Sequence, residues 1–566
     1  MRVYQSGDRF RGLRIGAALA ALGMTLAACG STATNNNGGG QAPQSQQILR
    51  TTSTTEPNSF DPGQQSYNYE GMIGRNVFEA LLKPTPDLKD VQGATASSYD
   101  VSSDGLTYTF HIRSNAKWSD GQPVKGQDFV YGFQRLLDPT LAAGYADPFF
   151  DQTIAGAANY ANVDAKDPNA VKSFIQGLGL SAPDDHTFVV KLARPAGFFK
   201  WVVTLWVAAP IRKDLVGSNY SSWASPPTSA VGNGMFKISE EVPKDHVTLV
   251  PNPNYWGTKP QIQKWTNYFI ADANQAFAKY QTGELDVLQV PLSNQDAVNA
   301  DPKLKAEQHR YPTLGTFWLT PNLHVAPFDN VHVREAVSHA IDRNTLATSV
   351  SKGQYTAFKT FIPSGMNGYT PSLGSAQDYD PAKGKAALQA SGLPASAYDS
   401  VKLLTRATSS NQLINQYMVD QINNNLGVHW TLDVVDSKTV TSRIRKAQFQ
   451  IYGADGWLAD YPDEQDFFDV FTTGGCHGTN WGCPNSKAYD DLVAKGDAAL
   501  KQSDRQGYYD QAAKMMEDQY WVQFLYNRTE VMLVKPYVKG IQATPIDEAV
   551  YLPGDLFANT IYIASH

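Results

Sequence analysis

Residues 102–139 read SSDGLTYTFHIRSNAKWSDGQPVKGQDFVYGFQRLLDP. Leu106, Tyr108 and Phe110 alternate with polar residues after an Asp-Gly turn, and this alternation predicts a half-buried strand. The segment VKGQDFVYGFQRLL that follows indicates a helix. Strand and helix patterns are mixed in the same way along the rest of the chain, so the sequence predicts an α/β protein.

Length and composition limit the classes that remain. A chain of 566 residues exceeds a single ordinary core, so we expect several lobes. Its 42% hydrophobic and 18% charged residues are typical of a soluble globular protein. The net charge of −7 gives no reason to expect a nucleic-acid partner.

The N-terminus has the pattern of an export signal. Arg9, Arg11 and Arg14 precede the apolar run 15–28, which is too short for a comfortable membrane-spanning helix. The run ends in Leu-Ala-Ala-Cys29, which resembles a bacterial lipobox, so we expect cleavage after residue 28 and a lipid on Cys29. An ordinary signal peptide with an incidental cysteine is the alternative.

The segment 29–47 lacks apolar residues able to build a core, and we expect a flexible leash there. Together with the lipid on Cys29, the leash predicts a body tethered to the extracytoplasmic face of the cell membrane.

Two further cysteines, Cys476 and Cys483, lie in CHGTNWGC. Outside the cytosol such a pair favours a disulfide that closes a small loop. His477 raises a metal alternative, but three ligands in a short loop lack a fourth, so we expect no metal.

A series of motifs carries a family resemblance. In chain order they are SFDP, RNVFEALLKP, the block 102–139, VGNGMFKI, NPNYWG, YQTGELDV, APFDNVHVREAVSHAIDR, YDPAKGKAALQASG, GWLADY at 456–461 and LVKPYVKG. This order resembles the oligopeptide- and dipeptide-binding proteins of ABC importers, the family 5 extracellular solute-binding proteins. The resemblance covers nearly the whole chain after the signal.

The resemblance implies an α/β fold of the periplasmic-binding-protein-like type II. Two lobes joined by a hinge close over the ligand, and an extra domain on the N-terminal side is added, all from discontinuous segments. The expected segments are a signal peptide at 1–28, the leash at 29–47, lobe I at 48–78, 185–312 and 521–566, the extra domain II at 79–184, and lobe III at 313–520.

The resemblance also implies a function. A monomer captures short peptides between its lobes and delivers them to the permease subunits of an ABC transporter. We expect no cofactor and no catalysis.

In the peptide-binding relatives, the Asp of Ala-Asp-Tyr binds the α-amino group of the peptide, and here that residue is Asp460, followed by Tyr461. A free N-terminus is a cation common to all unblocked peptides, and a charge-assisted hydrogen bond to it is strong. Trp457 would line the adjacent side-chain pocket. The alternatives are a turn or cap acid for Asp460 and a core ring for Trp457.

The relatives also pair the backbone of a loop after DP with the peptide, and its counterpart is Ser66-Tyr67-Asn68. An exposed loop is the alternative. Further pocket candidates, each with a structural alternative, are Asn480, Trp481 and Tyr526.

Some relatives carry an Arg three positions before the Trp of this motif. That Arg helps to receive the C-terminal carboxylate of the peptide. This chain has Ala454 there, so Arg445 or Arg443 would serve instead. A solvated helix face is the alternative.

Other functions remain open. An exported hydrolase with paired carboxylates is one, although the chain has no G-x-S-x-G, H-E-x-x-H or P-loop motif. The acids Asp463, Glu464 and Asp466 follow Pro462 and favour a helix start over catalysis. Within the family, a nickel chelate, haem, sugar or opine could replace the peptide, and a peptide-signal receptor would use the same binding chemistry.

Overall fold

The structure, a computed structural model, describes residues 40–146, 150–217, 219–226, 229–476, 479–547 and 550–566. The predicted lipid site at Cys29 and the signal peptide lie outside these residues. Within them the strands are β1 Ile48–Ser53, β2 Leu82–Pro84, β3 Val91–Gly93, β4 Ala96–Val101, β5 Thr107–Ile112, β6 Leu180–Asp184, β7 Thr187–Lys191, β8 Phe236–Val242, β9 His246–Pro251, β10 Lys264–Phe269, β11 Val287–Gln289, β12 Gln308–Pro321, β13 Tyr355–Ala357, β14 Lys402–Arg406, β15 Thr431–Val435, β16 Ile451–Leu458, β17 Gln523–Val534, β18 Val538–Lys539 and β19 Tyr562–Ile563.

Helices and strands are mixed along the chain, as the patterns predict. The α-helices are α1 Asn68–Val77, α2 Gly126–Leu136, α3 Pro168–Gln176, α4 Phe199–Val202, α5 Lys213–Val216, α6 Ala273–Gln281, α7 Gln295–Ala300, α8 Pro302–Glu307, α9 Val331–His339, α10 Arg343–Thr345, α11 Pro381–Ala390, α12 Ser409–Leu426, α13 Ser437–Arg445, α14 Gln465–Phe468, α15 Lys487–Ala498 and α16 Gln502–Asp518. No helix among the described residues is long and apolar enough to cross a membrane.

The block 102–139 folds as its pattern predicts. Tyr108 and Phe110 of β5 are buried, whereas Thr107, Thr109 and His111 are half-buried. Leu106 lies just before the strand and is half-buried too. Helix α2 begins where the Asp128 carboxylate accepts the Lys125 N–H at 2.9 Å, and Phe133 on its buried face packs edge-on against Phe188 of β7. Strand and helix therefore share one core.

Two four-stranded sheets belong to the first half of the chain. One has the order β1-β10-β9-β8, and the other has the order β4-β5-β7-β6. The last strand of the second sheet in chain order is β7, which ends at Lys191. The division of the chain into lobes stays a prediction.

A seven-stranded sheet carries the second half of the chain. Its order is β11-β17-β12-β16-β14-β15, with β13 also paired to β17. The two long strands β12 and β17 run antiparallel to each other, and their register is interrupted between Pro312 and Thr316. This interruption and the end of β16 both line the main cavity of the protein.

The end of the predicted leash differs from expectation. Gln47 is fully buried, and its side-chain amide donates to the carbonyls of Ala42 and Ile563, each at 2.8 Å. The Ala42 N–H also donates to the Ile563 carbonyl at 2.9 Å. The prediction of a flexible leash is therefore wrong for residues 41–47, because the Gln47 side chain hydrogen-bonds this segment to β19. A polar side chain leaves no apolar pattern in the sequence, so the pattern did not indicate this contact.

Candidate functional site

A cavity of about 1190 Å³ lies between segments from both halves of the chain. Its wall includes the start of α1, the loop at 143–145, the interruption in β12, and the end of β16 with the residues that follow. Six of the predicted ligand-binding residues line it: Ser66, Tyr67, Asn68, Arg445, Trp457 and Asp460. Residues far apart in sequence thus meet at one site.

Asp460 stands just beyond the end of β16 with its carboxylate half-buried in the wall. The Tyr145 hydroxyl donates to its Oδ1 at 3.0 Å, which joins the two sides of the cavity. Burial raises the pKa of Asp460 to about 6, although the Tyr145 hydrogen bond and the charge of Arg75 lower it. No Lys, Arg or His of the described ranges lies within ion-pair distance of this carboxylate. A cationic ligand group could form the direct ion pair that this carboxylate lacks.

Trp457 and Asp460 share one partner behind the wall. The Oδ2 atom of Asp466 accepts the Trp457 indole N–H at 3.2 Å and the Asp460 backbone N–H at 3.0 Å. Trp457 packs against two of the hydrophobic cores of the protein. Burial and the nearby Asp460 carboxylate raise the pKa of Asp466 well above its usual range.

The other acids of this stretch belong to the scaffold. Asp463 is 5% exposed and accepts two hydrogen bonds from the Arg505 guanidinium, at 2.9 and 2.5 Å. Its Oδ1 also accepts the Gln465 N–H at 3.0 Å, at the start of α14. These contacts match the predicted helix start.

The predicted backbone pairing at 66–68 meets a restriction. The N–H groups of Ser66 and Tyr67 both donate to Oε2 of Glu70, at 2.8 and 3.1 Å. The Tyr67 carbonyl accepts the N–H groups of Glu70 and Gly71 as α1 begins. A ligand strand would therefore find the Ser66 carbonyl, not a continuous strand edge, and the pairing stays a prediction.

The two candidate arginines both lie on helix α13, but their surroundings differ. The Arg443 Nη1 atom lies 2.7 Å from Oδ2 of Asp433, and its Nε donates to the Gln448 carbonyl. Arg445 is exposed on the cavity wall and has no ion-pair partner within the described ranges. Of the two, Arg445 is placed to meet an anionic ligand group.

Four other candidates do not line the cavity. Tyr461 is fully buried, and its hydroxyl donates to Oε1 of Gln465 at 2.5 Å. The Tyr526 ring is buried and stacks on Tyr355 with a centroid distance of 4.1 Å. The remaining two candidates are Asn480 and Trp481.

Asn480 is 1% exposed and accepts the Cys483 N–H at 2.9 Å through its Oδ1. Trp481 packs on the small core that contains Ile444 and Phe449. Cys476 and Cys483 are joined by a disulfide. Tyr461, Asn480, Trp481 and Tyr526 therefore make structural contacts here, and a ligand role for them stays a prediction.

Several wall residues were missed by sequence reasoning. They are Arg75, Tyr145, Arg194, Arg528 and Glu530. The three arginines are held in ion pairs: Arg75 with Asp555 at 3.4 Å, Arg194 with Asp497 at 3.0 Å and Arg528 with Glu530 at 2.7 Å. No periodic pattern marks these positions, since only the fold brings them to the cavity.

No group of three or more His, Cys, Asp or Glu side chains in the described part of the chain has metal-binding geometry. The wall instead offers a carboxylate without a cationic partner, an indole edge and an exposed guanidinium. These groups can bind and orient a ligand with a charged amine.

Comparison with known proteins finds relatives of this chain in both sequence and fold. The model of the bacterial extracellular solute-binding proteins, family 5, matches residues 90–478. The oligopeptide-binding protein OppA of Bacillus subtilis is 28% identical over 530 residues, which is 92% of this chain and 94% of that protein. The periplasmic murein peptide-binding protein MppA of Escherichia coli is 28% identical over 519 residues, covering 90% and 92%.

A solved structure of the murein tripeptide binding protein MppA of Escherichia coli superimposes with a TM-score of 0.78 at 27% identity, covering 92% of this chain and 99% of that chain. The predicted fold class is confirmed: the chain is a mixed α/β protein of the periplasmic-binding-protein-like type II.

Proposed function

This chain belongs to the bacterial extracellular solute-binding proteins of family 5, and we propose that it captures short peptides with a free amino terminus and delivers them to an ABC-type permease. The protein binds its ligand without transforming it and acts as a monomer. The names of its relatives, an oligopeptide-binding and a murein peptide-binding protein, support a peptide ligand.

The observation that carries the proposal is the Asp460 carboxylate. It lines the cavity, accepts a hydrogen bond from the neutral Tyr145 hydroxyl, and has no cationic partner in the described ranges. A half-buried acid without a direct ion pair is costly, whereas a ligand ammonium group would supply such a pair. A hydrogen bond to a charged group contributes about 1.5–3 kcal/mol.

The opposite charge of a peptide has a candidate receptor as well. Arg445 is exposed on the same wall and would receive the C-terminal carboxylate, whereas Arg443 is occupied by Asp433. Contacts to the two termini are blind to side-chain sequence, which suits a receptor for many peptides. Trp457 would hold the side chain next to the amine through its broad apolar ring.

Native mass spectrometry of the full chain, gently purified in mild detergent, tests the ligand class. We expect co-purified masses that fragment as short peptides, and masses carrying murein sugars or amino acids would assign the murein type. A single co-purified metal chelate, haem or sugar would contradict the peptide assignment.

We also propose that lipid on Cys29 holds the protein at the extracytoplasmic face of the cell membrane. The supporting features are the apolar run and the Leu-Ala-Ala-Cys sequence at its end. We expect Cys29→Ser to move the protein from the membrane fraction to the soluble fraction. Unchanged fractionation would contradict the anchor.

A further inference from the structure

Asp466 lies behind the cavity wall on α14, with only 1% of its surface exposed. One of its oxygens, Oδ2, holds the Trp457 indole at 3.2 Å and the Asp460 backbone at 3.0 Å. Both of these residues line the cavity, whereas Asp466 itself does not. A single buried atom thus fixes two groups that would touch a ligand.

This arrangement costs stability. The second oxygen of Asp466, Oδ1, is buried and has no hydrogen-bond partner among the described residues. A buried polar atom without a partner destabilises the fold, because it has given up its hydrogen bonds to water and gained none in return. Asp463, by contrast, uses both oxygens on Arg505. The scaffold can therefore pair its acids, and the incomplete pairing at Asp466 calls for another reason.

The neighbouring charges make the cost larger. The Asp460 carboxylate and, more weakly, Asp463 disfavour a second negative charge at Asp466. The hydrogen bonds from Trp457 and the Asp460 N–H oppose this effect. Buried groups that orient a binding residue are a common use of such strain.

We infer that Asp466 is a positioning residue that sets the Asp460 backbone and the Trp457 ring together, so that amine binding and the adjacent side-chain pocket form one unit. The inference rests on the proposed function, in which Asp460 receives the amine. Loss of Asp466 releases both groups, and the selectivity for a free amino terminus falls with them.

The test compares Asp466→Asn with Asp466→Ala in the full chain. Asparagine keeps an oxygen that can accept both N–H groups, whereas alanine keeps none. Calorimetry measures the affinity for one peptide with a free amino terminus and for its N-acetylated form. The indole N–H resonance of Trp457, assigned with Trp457→Phe, reports the ring directly.

We expect Asp466→Asn to keep the Trp457 resonance and to hold the ratio of the two affinities within about threefold of the unsubstituted protein. Asp466→Ala shifts the resonance and lowers the ratio about tenfold or more. If alanine prevents folding, Asp466→Leu keeps the volume without an acceptor and takes its place in the comparison.

Equal loss of affinity for both peptides in Asp466→Ala would overturn the inference, because it would indicate a general structural role. An asparagine variant that behaves like alanine would overturn it too, since geometry would then not be restored by the acceptor. Absence of amine preference in the unsubstituted protein would instead remove the role of Asp460 itself. The two failures are therefore distinguishable.

Discussion

Asp460 and Asp463 stand three residues apart in one acidic stretch, yet they meet opposite surroundings. Asp463 is buried and pairs both oxygens with the Arg505 guanidinium. Asp460 faces the cavity and accepts a hydrogen bond from a neutral hydroxyl. Asp463 thus forms its ion pair within the protein, whereas the Asp460 carboxylate is available to pair with a cationic ligand.

The same contrast recurs on helix α13. Arg443 is paired with Asp433 at 2.7 Å, whereas Arg445, two residues later, is exposed on the cavity wall. In both pairs, the residue type alone does not reveal the role. The partner that the fold supplies, or withholds, does.

The largest expected effect is on stability and concerns the buried ion pair of Asp463 with Arg505. We expect Asp463→Ala to destabilise the protein by about 3–5 kcal/mol, because it leaves the Arg505 guanidinium buried without its partner. Urea unfolding followed by tryptophan fluorescence measures the change. Asp460→Ala is the control, with an expected change of about 1 kcal/mol or less, because it removes a hydrogen bond from a neutral hydroxyl and leaves no buried charge without its partner. Similar losses in both variants would break the comparison.

The next prediction concerns the pH dependence of peptide binding at Asp460. Asp460 receives a cation only when ionised, and its pKa is raised to about 6 by burial. The peptide amine, with an ordinary pKa near 8, stays charged at pH 5–7. Affinity therefore falls as the pH drops through 6, by about tenfold between pH 7 and pH 5.

Calorimetry across this pH range measures the effect on a peptide with a free amino terminus. Asp460→Asn isolates the residue, because Asp547, on the same wall, also has a raised pKa, of about 7. We expect the asparagine variant to lose most of the pH dependence. An unchanged profile would assign the titration to other acids.

The smallest effect concerns the exposed guanidinium. We expect Arg445→Ala to weaken binding of peptides with a free C-terminal carboxylate by about two- to fivefold, as an exposed ion pair contributes up to about 1 kcal/mol. Amidated peptides report the same site without the charge and are expected to change little. The matched variant Arg443→Ala is expected to alter neither affinity, and an equal effect of both variants would remove Arg445 from carboxylate binding.

Local patterns predict the elements around the site well. The alternation in β5 and the buried face of α2 appear in the structure because each depends on neighbours in sequence. Trp457 and Asp460 come from the motif that carries the family resemblance, and the structure places both on the cavity.

The remaining contacts depend on distant segments. Tyr145 reaches Asp460 across 315 positions of the chain, and no sequence pattern marks it. Glu70 occupies the N–H groups of the 66–68 loop through a hydrogen-bond geometry that residue types alone do not specify. Tyr461 and Tyr526 are aromatic and suit a pocket, but the fold uses their rings in its cores.

The most direct measurement is calorimetry of one short peptide, with its amino terminus free or acetylated, against the unsubstituted protein and Asp460→Asn. We expect the unsubstituted protein to prefer the free amine by about ten- to a hundredfold, the range that a hydrogen bond to a charged group supplies. Asp460→Asn should bind both forms with nearly the affinity that the unsubstituted protein has for the acetylated one. Equal binding of the two peptides by the unsubstituted protein, or a preference that survives in Asp460→Asn, would contradict the account.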